Sequence, residues 1–343
     1  MKIEQPPSAA TSIARDREWI EIPDAGDTAL ILHTQRLSTE DGPGIRTTVF
    51  FKGCPLRCSW CHNPESISAK QQIQWLETRC IGCGTCIKTC DRDSLTKTEA
   101  GLVRDRSVCL VCGKCAEQCP ANAMEVLGKR VGLEELTAEL LRDRVYYDKS
   151  GGGITLSGGE PLMQPDFCAN LLRSMKEKGI STAVDTCGLC STASLEQVLP
   201  YTDLILYDLK EMDPARHKEF TGRDNGRILE NIIFIRDYLA EHVDGKTLWI
   251  RTPLIPGATA NRETVERIGE YISKNLGNCV KRWELCAFNN LCRDKYRRLG
   301  VEWQHAATPL MSKQELMELE QIAKNTGVNP DIIFVTGASR LET

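Results

Sequence analysis

The chain has 343 residues, a formal net charge of −4, and 41% hydrophobic against 26% charged residues. That length suits one large or two unequal domains with a sizeable core, and the nearly neutral balance argues against a nucleic-acid partner. No apolar run reaches the length of a membrane span, so no membrane partner is expected either. The opening MKIEQPPSAATSIARDREW lacks the apolar stretch of a secretory signal, which predicts a cytoplasmic protein. Residues 1–27, with their Pro, Ser, Ala and Asp, read as a mobile tail.

The first predicted element after that tail is a strand, IRTTVFFKG, rich in β-branched and aromatic residues and ending in glycine. It runs into GCPLRCSWCHNPES, which holds Cys54, Cys58 and Cys61 at CxxxCxxC spacing. The chain has 17 cysteines, and in a reducing cytosol metal ligation explains that count better than disulfides do. Three thiolates on a [4Fe-4S] cube leave one iron open, as a reactive metal site requires. A zinc site completed by His62 or a distant cysteine is the alternative, although zinc knuckles favour CxxC spacing.

Next come two copies of CxxCxxCxxxC, at Cys80, Cys83, Cys86, Cys90 and at Cys109, Cys112, Cys115, Cys119, the second followed by Pro120. In this spacing the first three cysteines wrap one cube and the fourth reaches the other. One cluster then takes Cys80, Cys83, Cys86 and Cys119, and the other takes Cys109, Cys112, Cys115 and Cys90. Asp91 stands where proline usually follows the first copy. Two zinc sites are the competing reading, but zinc modules usually show paired CxxC knuckles or added histidines, and the whole chain has five histidines. The stretch 66–126 is therefore expected to be a ferredoxin-like α+β insert with two [4Fe-4S] clusters, between barrel segments 28–65 and 127–343.

Further along, GGITLSGGEPL, STAVDTCG, DLILYDLK, TLWIRTPLIPG and RWELCAF are short apolar runs closed by polar, Gly or Pro residues. Helical patterns such as PDFCANLLRSMKEKG and NRETVERIGEYISKNLG alternate with them. This predicts βαβ units and a parallel sheet in an α/β protein, with chemistry at the strands' C-terminal ends. Those ends carry Ser157, Gly158, Gly159 and Glu160, then Asp185 and Thr186, Asp208 and Lys210, and Arg251. The two glycines would bring backbone close to a ligand and Glu160 would accept from an ammonium group. The carboxylates and Lys210 could cradle a cation, a ribose or a carboxylate, or form an ion-pair network. Arg251 suits carboxylate recognition. Cys187 and Cys190 form a CxxC that reads as buried packing in preference to a redox pair. Cys286 and Cys292 are either cluster-proximal or packed, and His33, His217, His242 and His305 read as packing or surface residues.

CxxxCxxC with Trp60 before its last cysteine resembles the signature of the radical S-adenosylmethionine (SAM) superfamily. STEDGPGIRTTVFFKGCPLRCSWCHNPES, SGGGITLSGGEPLMQ, DTCG, YDLKEMDPARHKEFTG and IRTPLIPG, in that order, narrow the likeness. They resemble the glycyl radical enzyme activating enzymes, in the subgroup with a two-cluster insert. The resemblance, from about residue 30 to 310, implies a partial (β/α) TIM-like barrel. On it, Cys54, Cys58 and Cys61 ligate the catalytic cluster, while Asn63, Ser157, Gly158, Gly159, Glu160, Lys210 and Arg251 contact SAM. Asp185, Thr186, Asp208 and the Leu206 carbonyl match a monovalent-cation site, and Asp41, Gly42, Gly44 and Arg46 meet the partner's glycyl loop. Asn289 falls where the family has a histidine in LPYHxLGxxKY; it can bond a ribose hydroxyl but cannot titrate near neutrality. The implied reaction uses three [4Fe-4S] clusters, and flavodoxin or ferredoxin supplies the electron. Cleavage of SAM gives a 5′-deoxyadenosyl radical, which takes hydrogen from a backbone glycine of a glycyl radical enzyme. The protein is expected to act as a monomer. The competing readings are a radical SAM enzyme acting on a small molecule or another protein side chain, and a multi-cluster electron-transfer protein.

Overall fold

A computed structural model describes residues 26–99, 101–242 and 245–340. The expected tail at 1–27 lies outside the described residues except for its last two. β1 (Thr28–Ser38) and β2 (Arg46–Phe51) pair antiparallel, and β2 is buried along its whole length. After α1 (Pro64–Ile67) the cysteine-rich stretch forms β3 (Gln72–Trp75), α2 (Thr85–Lys88), β4 (Leu95–Thr98), β5 (Gly101–Arg104), α3 (Lys114–Glu117) and β6 (Met124–Leu127). The chain returns through β7 (Lys129–Gly132), α4 (Leu133–Leu141) and α5 (Arg144–Ser150). It then alternates: β8 (Gly153–Gly158), α6 (Pro165–Glu177), β9 (Ser181–Thr186), α7 (Thr192–Val198), β10 (Leu204–Asp208), α8 (Pro214–Thr221) and α9 (Gly226–Glu241). β11 (Thr247–Leu254), α10 (Arg262–Tyr271), β12 (Val280–Ala287), α11 (Arg293–Leu299), α12 (Lys313–Lys324) and β13 (Ile333–Thr336) complete it.

Helices begin where the chain supplies caps. The Asn261 side chain accepts from Thr264 N at 3.0 Å at the start of α10, and Ser312 with Glu315 forms a reciprocal capping box on α12. The strands build one nine-stranded sheet in the order β13-β12-β11-β10-β9-β8-β2-β1-β7, parallel from β13 to β2. The alternation of strands and helices predicts this parallel sheet, and the register supplies its count and order. It does not close, ending on β13 and β7.

Side chains on each strand alternate between faces. Val49, Phe51, Leu156, Val184, Tyr207 and Ile250 join the main core with the helices. On the opposite, inner face a small apolar layer of Ala183, Leu204, Leu206 and Trp249 makes a floor. The loop between β1 and β2 packs on that floor, where a Cβ at Gly42 would lie 2.9 Å from Leu204 Cδ2. Above the floor the inner face is polar.

The cysteine-rich stretch repeats itself with a shift of 29 residues, which takes Cys80 to Cys109 and Gly84 to Gly113. Strand β3 maps on β5, α2 on α3 and β4 on β6. The halves exchange strands, since β3 pairs antiparallel with β6 and β4 with β5. Even the left-handed positions recur: Gly82 and Val111, Gly84 and Gly113, Asp93 and Asn122. Ile73, Leu95 and Met124 form its own core, with Cys86, Cys90, Cys109, Cys115 and Cys119 packed against it.

Candidate active site

The cysteine loop leaves the C-terminal end of β2, where parallel α/β folds place their chemistry. Its entrance is fastened to α1, with Gly53 N donating to the Ser66 carbonyl at 2.6 Å and Cys54 N to Ile67 at 3.1 Å. Its middle is fastened to α8, since Arg57 N donates to Thr221 and Ser59 N to Phe220. Three side chains from the C-terminal region hold its carbonyls. Trp303 Nε1 donates to Ser59 O at 2.9 Å, Tyr296 OH to Cys61 O at 2.9 Å, and Lys295 Nζ to His62 O at 3.1 Å. Tyr296 and Trp303 stack with centroids 5.0 Å apart, inside an aromatic cluster that includes Trp60 and Phe288. So held, Cys54, Cys58 and Cys61 lie within electrostatic reach of one another. Burial pushes the Cys58 thiol up to about 12 and raises Cys61 well above the ordinary value, a cost that metal binding removes by taking the proton's place.

The SGGE loop at the end of β8 runs alongside. Gly159 N donates to Phe51 O at 2.9 Å and Glu160 N to Gly53 O at 2.8 Å. Their close approach explains the two glycines. A Cβ on Gly158 would lie 2.4 Å from Phe51 N, and one on Gly159 2.1 Å from Gly53 O. Gly158 also has φ +111°, a value L residues avoid. The glycines thus seat the SGGE backbone against the cysteine loop. Glu160 is fully buried, and its carboxylate accepts from Leu162 N, the Thr186 hydroxyl and Cys187 N at 2.8–3.0 Å. Burial raises its pKa to about 7 against the pull of those donors. Its side chain therefore ties the end of β8 to the end of β9, while its backbone N–H holds the cysteine loop. Cys187 and Cys190 are both buried, and the Cys187 thiol reaches Cys54.

Across the neighbouring strand ends runs a row of charges. The Ser157 hydroxyl donates to Asp185 at 2.6 Å, Arg251 lies 3.4 Å from both Asp185 and Glu284, and Arg282 is 2.7 Å from Glu284. Lys210 pairs with Asp208. Burial opposes the charge on Lys210, yet Asp208 and the nearby Cys58 and Cys187 thiols hold its ammonium above the ordinary lysine value. Burial pushes Asp185 up, and Arg251 partly offsets it. Cys286 faces the same row through Arg251, whereas Cys292 packs in the aromatic cluster. The Thr186 hydroxyl is spent on Glu160.

Asn63 accepts from Lys295 at 2.7 Å. The Asn289 side chain accepts from Leu291 N at 3.2 Å and closes its own turn, while its carbonyl meets His62 Nε2 at 3.1 Å. A carbonyl only accepts, which puts the His62 proton on Nε2. Asp41 accepts from the Ser38 and Thr48 hydroxyls at 2.6 Å and faces the row from below, within electrostatic reach of Asp185. Arg46 is fully buried at the strands' N-terminal ends, where it donates to Thr155 and to the Ile154 carbonyl. A Cβ on Gly44 would meet Gly152 N at 2.5 Å, so that segment packs against the start of β8.

In the insert a cavity is lined by Cys80, Cys83, Cys86 and Cys119, and Cys115 lies in electrostatic reach of Cys109 and Cys112. Among the described residues no group of three or more His, Cys, Asp or Glu is arranged to hold a single metal ion. Three thiols beside a polar lumen with both charge signs fit a cube whose remaining iron takes a zwitterionic ligand. The sequence alone does not disclose the clamp of Lys295, Tyr296 and Trp303, whose partners lie more than 230 residues away. Nor does it disclose Glu284, which has no strand-end motif around it.

Residues 48–268 match the model of the radical SAM superfamily. The chain is 36% identical to the (2S)-3-sulfopropanediol dehydratase activating enzyme of Klebsiella oxytoca, over 80% of this chain and 86% of that one. It is 36% identical to the trans-4-hydroxy-L-proline dehydratase activating enzyme of Clostridioides difficile, over 88% and 98%. It is also 36% identical to the choline trimethylamine-lyase activating enzyme of Oleidesulfovibrio alaskensis, over 85% and 94%. No described helix is long and apolar enough to cross a membrane. With a family match across most of the parallel sheet and relatives matched nearly end to end, the chain belongs to the radical SAM superfamily and, within it, to the glycyl radical enzyme activating enzymes.

Proposed function

We propose that the protein converts a backbone glycine of a partner glycyl radical enzyme into its radical form, using SAM. The reading is carried by a near-complete match to an activating enzyme, 36% identical over 98% of that relative, and the three-thiol loop at the barrel mouth supports it. When bound, the reduced cluster supplies the electron that cleaves SAM, and the hydrogen atom comes from the partner's glycine. Cys54, Cys58 and Cys61 hold the cluster; Lys295, Tyr296 and Trp303 hold their loop. Arg251 and Lys210 would take up the SAM carboxylate, and Asp185 and Asp208 its positive groups. The SGGE backbone of Ser157 to Glu160, with Asn63 and Asn289, would supply further contacts to SAM. At Asp185, Thr186 and Asp208 a monovalent cation would compete with Arg251 and Lys210, and we assign the neutralising role to these two side chains. Of the DGPGIR segment we assign Asp41 and Gly42, on the inner face of the sheet, to the incoming loop.

We also read the insert as a holder of two [4Fe-4S] clusters, one on Cys80, Cys83, Cys86 and Cys119 and one on Cys109, Cys112, Cys115 and Cys90. The strand-exchanged halves and the four-cysteine cavity support this. A flavodoxin or ferredoxin would donate the electron to a cytoplasmic monomer. Relatives at 35–36% identity include activating enzymes of dehydratases, a lyase and a decarboxylase. Their near-equal similarity fits an enzyme that reads the glycyl loop in place of the partner's own substrate. The test is anaerobic reconstitution with iron and sulfide, then SAM, dithionite and a glycyl radical enzyme from the same organism. A glycine doublet signal with release of 5′-deoxyadenosine is expected. Release without the doublet would point to another radical SAM substrate, and no release to an electron carrier.

A further inference from the structure

Helix α11 carries contacts on two sides. On one, Lys295 and Tyr296 hold the carbonyls of His62 and Cys61, and Lys295 also reaches Glu65 at 2.7 Å. On the other, Arg298 Nη1 donates to Gln74 Oε1 of β3 at 3.4 Å, and Arg106 of the insert donates to the Leu299 carbonyl. Gln74 is itself bonded across the β3–β6 pair to Glu125 at 2.6 Å. One helix of seven residues therefore touches both the catalytic loop, through Lys295 and Tyr296, and the insert, through Arg298 and Leu299. Beside them lies a cleft of about 860 Å³, bordered by Glu65, Lys295 and Arg298 on one side and by Cys112, Gly113 and Glu117 on the other. α11 borders that cleft, and a second tie joins the two parts directly, Lys52 Nζ beside β2 donating to Gln72 Oε1 of β3 at 2.9 Å.

We propose that α11 is a strut through which the insert sets the position of the catalytic loop, with Lys295 and Tyr296 as positioning residues. The proposal rests on the assignment of Cys54, Cys58 and Cys61 to the SAM cluster. The peptide planes after Ser59, Cys61 and His62 determine where the second and third thiols point. A short helix pinned at one end only would let those planes drift, and small displacements at a reacting centre are costly. The insert then acts on the SAM site mechanically, separately from any passage of electrons.

The experiment uses the full-length, reconstituted protein held reduced with excess dithionite, so that electron supply never limits. One variant cuts the insert side, Arg106→Met with Arg298→Met; the other cuts the loop side, Tyr296→Phe, which keeps the ring stack. The readouts are iron content and the SAM concentration needed to change the cluster's paramagnetic resonance signal. Both variants are expected to keep full iron and to need severalfold more SAM. If both titrate with SAM as the unaltered protein does, the strut is wrong. Should the double variant fail to hold iron, Arg298→Met alone replaces it under the same criterion. An unaltered protein without any SAM-responsive signal would instead sink the cluster assignment on which the proposal rests.

Discussion

A buried carboxylate without a counter-ion persists only where its oxygens are matched by donors, and Glu160 meets that condition with the backbone of Leu162 and Cys187 and the Thr186 hydroxyl. The motif that offers it is legible in the sequence, but its direction is not. SGGE reads as a loop facing a ligand; the structure turns Glu160 inward and uses both glycines to approach β2. Gly159→Ala should therefore push the SGGE loop off Gly53, and the expected result is loss of the SAM-responsive signal, while the iron proposed for the cysteine-rich stretch is retained. Asp143 is a second case of a fixed carboxylate. It is fully buried, accepts from Arg36 and from the Thr47 hydroxyl at 2.8 Å, and the Arg36 hydrogen bond holds its pKa below the ordinary value. A depressed acid stabilises the fold above its unfolded pKa of about 3.9 and loses that effect as pH falls through its native value. Asp143→Asn should cost about 1–3 kcal/mol at neutral pH. In unfolding midpoints the deficit should stay constant from pH 8 to 5 and narrow only as the pH falls past about 4.

At the level of elements, β-branched runs closed by glycine and amphipathic stretches with N-caps reveal the strands and helices, because those signals are local. Strand exchange between the insert's halves is not local. Cysteine spacing shows that two copies exist, yet nothing in the spacing says that β3 must pair with β6. The repeat exposes one irregular position. Val111 adopts φ +54° where the first half has Gly82 at φ +71°, and a β-branched residue pays a steric cost of about 1–2 kcal/mol there. Val111→Gly should stabilise the insert by about 1 kcal/mol, the relief being partly cancelled by glycine's entropy. Slower loss to a chelator of the iron proposed for the cysteine-rich stretch would show it; unchanged or faster loss would contradict it.

For the whole molecule, the alternation of strands and helices makes a parallel sheet legible in the sequence, while the order that makes particular strand ends neighbours comes from the register. What it does not imply is the set of long-range ties at the barrel mouth. Tyr296 and Trp303 look like ordinary aromatics until the fold stacks them behind the cysteine loop. Glu284 looks like a strand residue until Arg251 and Arg282 reach it from either side. Those ties depend on distances that no local pattern encodes. The row they complete has three cations, Lys210, Arg251 and Arg282, facing three anions, Asp185, Asp208 and Glu284. A ligand bearing both signs can enter it by exchange, each of its charges taking over a partner from an internal pair, so that few counterions from solution need be gained or released. Affinity for such a ligand should then change little between about 0.05 and 0.5 M salt, whereas an enzyme that gripped the same ligand with a single uncompensated charge would lose it steadily as salt is added.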